Sequence, residues 1–132
     1  MTNQLGQVEE FHKAFGVPVR YLPVIPDEQT IKLRYDLAQE ELNEFLEACQ
    51  NKDITAIFDA LVDQLYILLG TAHAFGLGAA LEDGFAEVHR SNMTKLDEFG
   101  KPVYREDGKV IKSELYEKPN LLRVLAETYP PF

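Results

Sequence analysis

The chain has 132 residues, a hydrophobic content of 45% and a formal net charge of -9. Its length suits one domain with a hydrophobic core, and its negative charge argues against nonspecific binding to nucleic acid or to anionic membranes. A single cysteine, Cys49, excludes an intrachain disulfide, and the sequence shows neither a secretion signal nor an uncharged apolar run of membrane-spanning length. We therefore expect a cytoplasmic protein without a nucleic-acid or membrane partner. The helical pattern around Cys49 predicts a packed thiol.

Helical periodicity dominates the first three quarters of the chain. Apolar residues that recur at steps of three and four predict four helices, over residues 3–14, 28–51, 54–75 and 79–95. Asp27 or Thr30 is suited to cap the second helix, and Asp53 to cap the third. Gly76 and Gly78 provide the usual signal for the end of the third helix.

The pattern changes after residue 96. Asp107-Gly108 lies between two short runs that favour strands, 103–105 and 109–112, which is a strong hairpin signal. A last short helix is predicted over 121–127.

The predicted fold is an all-α bundle of four main helices with a small C-terminal hairpin extension. We interpret residues 1–132 as one domain, with its core at 28–95 and the extension at 96–132. The helix over 54–75 is apolar almost all round, which predicts burial in a bundle or in an oligomer interface. Its acidic residues argue against a membrane span.

Acidic residues are concentrated on the second helix. Glu40, Glu44 and Glu47 share one ridge, and Glu41 flanks Glu44. Like charges this close repel each other, so the arrangement is sensible if a divalent cation lies between them. The competing interpretation is a solvated acidic face. A second apolar stripe on that side of the helix weakens the interpretation as a solvated face, because part of the ridge is then expected to face protein.

Asp59 and Asp63 lie one turn apart on the most apolar helix of the chain. Buried ionised carboxylates are costly unless they are paired or coordinated, and a salt bridge to Lys or Arg is the alternative to a metal. A short connection makes the two long helices antiparallel, which brings these residues to Glu41 and Glu44. Oxygen-only ligands suit Mg²⁺ or Mn²⁺.

A spare carboxylate beside such a metal, Glu40 or Glu47, is placed to accept a proton from water. On the fourth helix the inward apolar stripe, Leu81, Phe85 and Val88, ends in Asn92 and Lys95. In one interpretation Asn92 and Lys95 contact a phosphate or a base. In the other, Asn92 belongs to an ordinary helix end and Lys95 is a surface charge.

Together these motifs resemble the all-α nucleoside triphosphate pyrophosphatases, the MazG-like and phosphoribosyl-ATP pyrophosphohydrolase-like superfamily. The resemblance rests on a Glu-Glu-x-x-Glu helix at Glu40–Glu44, an acidic motif at Asp59–Asp63, and the Asn and Lys at 92 and 95. Segments 10–16 and 107–112 resemble one branch of MazG-like proteins. The usual first acid of the second motif falls on Ala60 here, and we expect Asp59 to replace it.

The resemblance implies hydrolysis of a (deoxy)nucleoside triphosphate to the monophosphate and pyrophosphate. It implies Mg²⁺ or Mn²⁺ as the cofactor, with four ligands: Glu41, Glu44, Asp59 and Asp63. Glu40, Glu41 and Glu44 are implied as catalytic residues, with Glu40 assisting the metal or the water. It also implies a homodimer or homotetramer with sites formed by bundled helices.

Substrate contacts are implied for five further residues. Asn92 and Lys95 would hold the nucleotide, Lys109 and Lys112 would reach its phosphates, and His12 would lie near the base or sugar.

Two alternatives remain open. Phosphoribosyl-ATP pyrophosphohydrolase is less favoured, because the third helix reads Leu65-Tyr66-Ile67-Leu68 and lacks the Tyr-His pair expected in that group. A helical dimerisation or regulatory module, with acids that are only solvated or paired, is the non-enzymatic alternative.

Overall fold

The computed structural model describes residues 2–131 of the chain. Within them it contains five helices: α1 Thr2–Ala14, α2 Glu28–Gln50, α3 Ile54–Ala74, α4 Gly78–Met93 and α5 Leu121–Thr128. Two short strands, β1 Val103–Tyr104 and β2 Val110–Ile111, form an antiparallel hairpin. The prediction of an all-α protein with four main helices and a small C-terminal hairpin is confirmed.

The ends of the long helices follow from their capping residues. Asp27 Oδ1 accepts a hydrogen bond from the Thr30 amide at 2.8 Å, so Asp27 is the cap of α2. Asp53 caps α3 in the same way, through the Ala56 amide at 3.1 Å. Gly78 does not end α3 as predicted, because it is the first residue of α4.

Two compact units divide the chain, residues 1–79 and 80–132. Their boundary falls in the first turn of α4, whereas the sequence places the end of the core after residue 95. The interpretation of the whole chain as one domain stays a prediction.

In the first unit α2 and α3 pack side by side, and α1 packs on α3. Arg34 of α2 fixes the first of these contacts: its Nε donates to Thr71 Oγ1 at 3.0 Å and its Nη2 to the Ile67 carbonyl at 2.7 Å. Gly70 leaves the space for this convergence, since a Cβ there would lie 2.6 Å from Arg34 Nη2 and 2.7 Å from His12 Nε2. All three helices therefore meet at one glycine.

Much of the apolar surface of α3 is uncovered within the chain. Phe58, Leu61 and Leu68 are each at least half exposed. By length and hydropathy α3 passes the test for a membrane-spanning helix, as core helices of soluble proteins also do. Its predicted place in an oligomer interface stays a prediction. Cys49 is exposed, so the prediction of a packed thiol is wrong.

In the second unit α4 packs on α5 around Ala80, Val124 and Tyr129. The predicted inward stripe of α4 is wrong, because Phe85 is 70% exposed and Val88 is also exposed. The buried polar residues of α4 are instead Glu87 and Ser91.

Hydrogen bonds explain this choice of buried face. Glu87 accepts from Arg90 Nε at 2.8 Å and from the Asn120 amide at 2.7 Å. Ser91 Oγ donates to the Glu117 carbonyl at 2.7 Å. Polar groups with such partners can be buried without the desolvation penalty of unpaired ones.

Candidate metal centre

Three carboxylates meet where α2 packs on α3. Glu41, Glu44 and Asp63 each offer one oxygen, and these oxygens lie within 4.8 Å of one another. Glu41 and Glu44 are three residues apart and therefore neighbours on α2, and the adjacent α3 supplies Asp63. The structure thus brings together three of the four predicted metal ligands.

Nothing cationic neutralises this cluster in the part of the chain that the structure describes. None of the ion pairs between described residues includes Glu41, Glu44, Asp63 or Asp59. Oε2 of Glu41 is buried and has no hydrogen-bond partner among them. The alternative of a salt bridge to Lys or Arg therefore finds no support in the first unit.

The electrostatics of the cluster follow from crowding. Burial raises the pKa of Glu41 to about 7, and a hydrogen bond with Glu44 and the charges of Glu44, Asp63 and Glu40 add to the effect. The pKa of Asp63 is also raised, first by burial and then by the charges of Asp59 and Glu44. Such a set of mutually repelling acids is stabilised when a cation binds between them.

The chemistry of the donors fits a hard divalent cation. All three residues offer carboxylate oxygens, the ligand type that suits Mg²⁺ and Mn²⁺. The buried Oε2 of Glu41, which has no hydrogen-bond partner among the described residues, would be available to such an ion.

Asp59 lies beside the three-carboxylate cluster and is not a member of it. It lines a cavity of about 270 Å³ with Glu44 and Glu47, and Ala60 forms part of the same wall. Its charge reaches the cluster, because it raises the pKa of Asp63. Its role as the fourth ligand stays a prediction, as do the roles of the exposed Glu40 and Glu47 as proton acceptors.

His12 is buried between α1 and α3, with 3% of its surface exposed. Its Nδ1 donates to the Pro18 carbonyl at 3.1 Å, and its ring meets that of His73 at a centroid distance of 6.0 Å. Burial lowers its pKa, and the charges of Arg34 and His73 lower it further. The predicted contact of His12 with a base or sugar stays a prediction.

The other predicted substrate contacts belong to the second unit. Asn92 and Lys109 are exposed, and Lys95 is half-buried. Lys112 Nζ lies 4.7 Å from the centre of the Tyr116 ring. Their contacts with the nucleotide stay predictions.

Arg34 is a residue whose importance the sequence interpretation missed. It lies two turns before Glu41 on α2, is 6% exposed and has no carboxylate partner among the described residues. Its hydrogen bonds to α3 hold the two helices in the register that brings Glu41 to Asp63. The signal of this role in the sequence is the position of a basic residue next to the apolar stripe of α2.

The fold and the acidic cluster define the class: an all-α protein with a candidate metal centre between two antiparallel helices. The chain belongs to the phosphoribosyl-ATP pyrophosphohydrolase family, whose sequence profile matches residues 8–92. This confirms the resemblance to the all-α nucleoside triphosphate pyrophosphatase superfamily and supports a nucleotide pyrophosphohydrolase type of activity. Members of this family typically use a divalent metal.

The chain is also similar to an uncharacterized protein of Acanthamoeba polyphaga mimivirus. The two are 29% identical over 130 residues, which cover 92% of this chain. The matched region is 49% of the viral protein, so the chain spans about half the length of that relative.

Proposed function

We propose that the chain hydrolyses a (deoxy)nucleoside triphosphate to the nucleoside monophosphate and pyrophosphate, with Mg²⁺ or Mn²⁺ as cofactor. The observation that carries the proposal is the cluster of Glu41, Glu44 and Asp63, which has no cationic partner among the described residues. The buried Oε2 of Glu41, without a hydrogen-bond donor, adds to it. A solvated acidic surface would leave all these oxygens in water.

In this proposal Glu41, Glu44 and Asp63 hold the cation, with Asp59 as a fourth carboxylate beside them. When bound, the cation supplies positive charge for the triphosphate and lowers the pKa of a water molecule. The exposed Glu40 or Glu47 accepts the proton that water loses. The water oxygen forms a bond to the α-phosphorus. The bond from the α-phosphorus to the oxygen that bridges the α- and β-phosphates breaks, and this oxygen leaves with pyrophosphate.

Phosphoribosyl-ATP is a second candidate substrate, because the matching family carries that name. It also contains a triphosphate that is cleaved to pyrophosphate, so the same carboxylates would serve it. The two substrates differ only outside the phosphates, and the experiment below includes both.

We also propose that the chain works as a homodimer or homotetramer. A groove of about 580 Å³ between α2 and α3 is lined mainly by apolar side chains, among them Tyr35, Leu42, Leu65 and Leu68. Apolar patches of this kind are typical of protein interfaces. We also propose the cytoplasmic location that the sequence predicts.

Pyrophosphate release tests the proposal. The purified chain is incubated with each common NTP and dNTP and with phosphoribosyl-ATP, in Mg²⁺, in Mn²⁺ and in EDTA. We expect release from at least one triphosphate, and none in EDTA or with Glu44→Ala. The control is Asp36→Asn, an exposed acid on α2 that pairs with Lys32 at 2.6 Å. Absence of release from every substrate would favour the alternative of a helical dimerisation module.

A further inference from the structure

Three aromatic rings form a surface patch where the end of α1 meets α3. Phe11 and Phe15 stack with their ring centroids 4.4 Å apart, and Phe11 meets Tyr66 edge-on at 5.8 Å. The rings are exposed to 41%, 70% and 37% for Phe11, Phe15 and Tyr66 respectively. We call these three residues the aromatic patch.

The patch lies next to the acidic cluster along α3. Tyr66 follows Asp63 by three residues and shares its ridge, so their Cβ atoms are about 5–6 Å apart. The contacts of α1 show that it runs antiparallel to α3: the Leu5 carbonyl accepts from His73 Nε2 at 2.8 Å, and Phe11 lies further along at Tyr66. Phe15, one turn after Phe11, therefore extends from Tyr66 towards the level of Asp63.

We propose that the aromatic patch binds the nucleobase of the triphosphate whose phosphates are held at Glu41, Glu44 and Asp63. This inference rests on the proposed function and names the residues that recognise the other end of the same substrate. A sugar separates a base from its phosphates by about the distance of one to two helix turns, ~5–11 Å, and the patch begins one turn from Asp63. Stacking on exposed aromatic rings is the common way in which proteins hold a base.

The patch differs in composition from the apolar groove between α2 and α3. That groove is lined largely by aliphatic side chains, among them Leu65, Ile67 and Leu68. The patch is wholly aromatic, and its residue on α3, Tyr66, shares a ridge with Asp63. Because every base presents a π-face, it supplies affinity for the base without strong discrimination between bases.

Two ligands test recognition of the base and recognition of the phosphates separately. The first is an α,β-methylene nucleoside triphosphate, which cannot be cleaved between the α- and β-phosphates, and the second is inorganic tripolyphosphate, which has no base. Both are titrated in Mg²⁺ into wild type, Phe15→Ala and Phe15→Trp. Phe58→Ala is the matched control, because Phe58 is 68% exposed and lies on another ridge of α3 than Asp59 and Asp63.

We expect Phe15→Ala to weaken binding of the nucleotide by about 5- to 150-fold, the range of one base–aromatic stack. Binding of tripolyphosphate should be unchanged, and Phe15→Trp should restore the nucleotide affinity. The proposal is overturned if Phe15→Ala binds the nucleotide like wild type. It is also overturned if Phe15→Ala weakens both ligands equally or if Phe58→Ala has the same effect, since the patch would then be packing surface.

Binding of the two ligands to wild type distinguishes a failure of the proposed function from a failure of the aromatic patch as the base site. Wild type that binds neither ligand would overturn the proposed function and this inference with it. Wild type that binds both ligands, with Phe15→Ala unaffected, would overturn the role of the patch alone.

Discussion

Glu41 and Glu44 are neighbours on one face of α2 and each offers an oxygen to a cluster with Asp63 in which these oxygens lie within 4.8 Å of one another, while Oε2 of Glu41 is buried without a hydrogen-bond partner among the described residues. Burial and three neighbouring acids raise the pKa of Glu41 to about 7, so without metal the cluster retains a proton well above the ordinary range. The protonation state of the cluster therefore depends on pH and on bound cations.

The first prediction is that the metal-free protein loses stability as pH rises through the window from 4.5 to about 7. In that window the unfolded chain has released the Glu41 proton and the folded chain has kept it, so folding becomes less favourable with pH. One pKa unit corresponds to about 1.4 kcal/mol, so the loss is at most about 3 kcal/mol and solvent screening reduces it. Urea unfolding in EDTA at about pH 5 and about pH 7.5 measures it.

Glu41→Gln is the control for this prediction, because it removes the titrating group and keeps its shape. The variant should show a smaller change in unfolding free energy between the two pH values than wild type. An equal change in both proteins would mean that other acids, and not Glu41, cause the pH dependence.

The second prediction concerns metal binding. Mg²⁺ or Mn²⁺ at 100 times its Kd should stabilise the folded chain by about 2.7 kcal/mol, and less at about pH 5, because protons compete for the carboxylates. Glu44→Ala should abolish this stabilisation and the hydrolytic activity. Asp36→Asn should keep both, since an exposed ion pair such as Asp36 with Lys32 contributes at most about 1 kcal/mol. A full response in Glu44→Ala would remove Glu44 from the set of metal ligands.

The acidic cluster was predictable because its determinants are local. Asp27 and Asp53 mark the starts of α2 and α3, and a short connection makes the two helices antiparallel. These facts place Glu41 and Glu44 near the level of Asp63, and the hydrogen bonds from Arg34 to α3 then hold the register of the two helices. Asp59 lies beside the cluster and not in it because of how α3 is rotated about its own axis. The spacing of Asp59 and Asp63, one turn apart on the same ridge, does not determine this rotation.

The buried face of α4 was not predictable in the same way. Its apolar residues suggested that Phe85 and Val88 face inward, but the covered side carries Glu87, whose partners lie far along the chain at Asn120 and Arg123. A pattern of hydrophobicity cannot reveal that a distant arginine and a backbone amide will compensate a buried acid. Tertiary pairing therefore decided which face of this helix is covered.

The third prediction compares two glycines with the same backbone conformation. Gly16 and Gly76 both have φ of +71°, but a Cβ on Gly76 would lie 1.9 Å from the Leu22 carbonyl oxygen, whereas one on Gly16 would meet nothing within 4 Å. Gly16→Ala should cost only the left-handed strain, about 1–2 kcal/mol. Gly76→Ala should cost roughly 2–5 kcal/mol, because a clash with backbone is added.

Chemical denaturation of the two variants checks this comparison. Both pay the same conformational penalty, so the difference in their unfolding free energies reports the close approach of residues 22 and 76. Equal destabilisation of the two variants would show that the connector before α2 does not pack on the end of α3 as the structure indicates.

The fourth prediction concerns Glu87 in the second unit. Hydrogen bonds from Arg90 and the Asn120 amide, with the charge of Arg123, lower the pKa of Glu87 to about 2. A depressed pKa of an acid means stability that is present above the ordinary pKa of 4.5 and is lost as pH falls towards 2. Glu87→Gln should therefore lower the melting temperature at neutral pH and should make the protein less sensitive to acid between those values.

Glu127→Gln is the matched control, because Glu127 also pairs with Arg123, at 3.1 Å, but its side chain is 66% exposed. Exposed pairs contribute little, so this variant should melt like wild type at neutral and at acid pH. Thermal melting of both variants at about pH 7 and about pH 3 makes the comparison. If the two substitutions have the same effect, the ion pairs of Glu87 do not hold α4 to the start of α5, and the burial of its carboxylate has another cause.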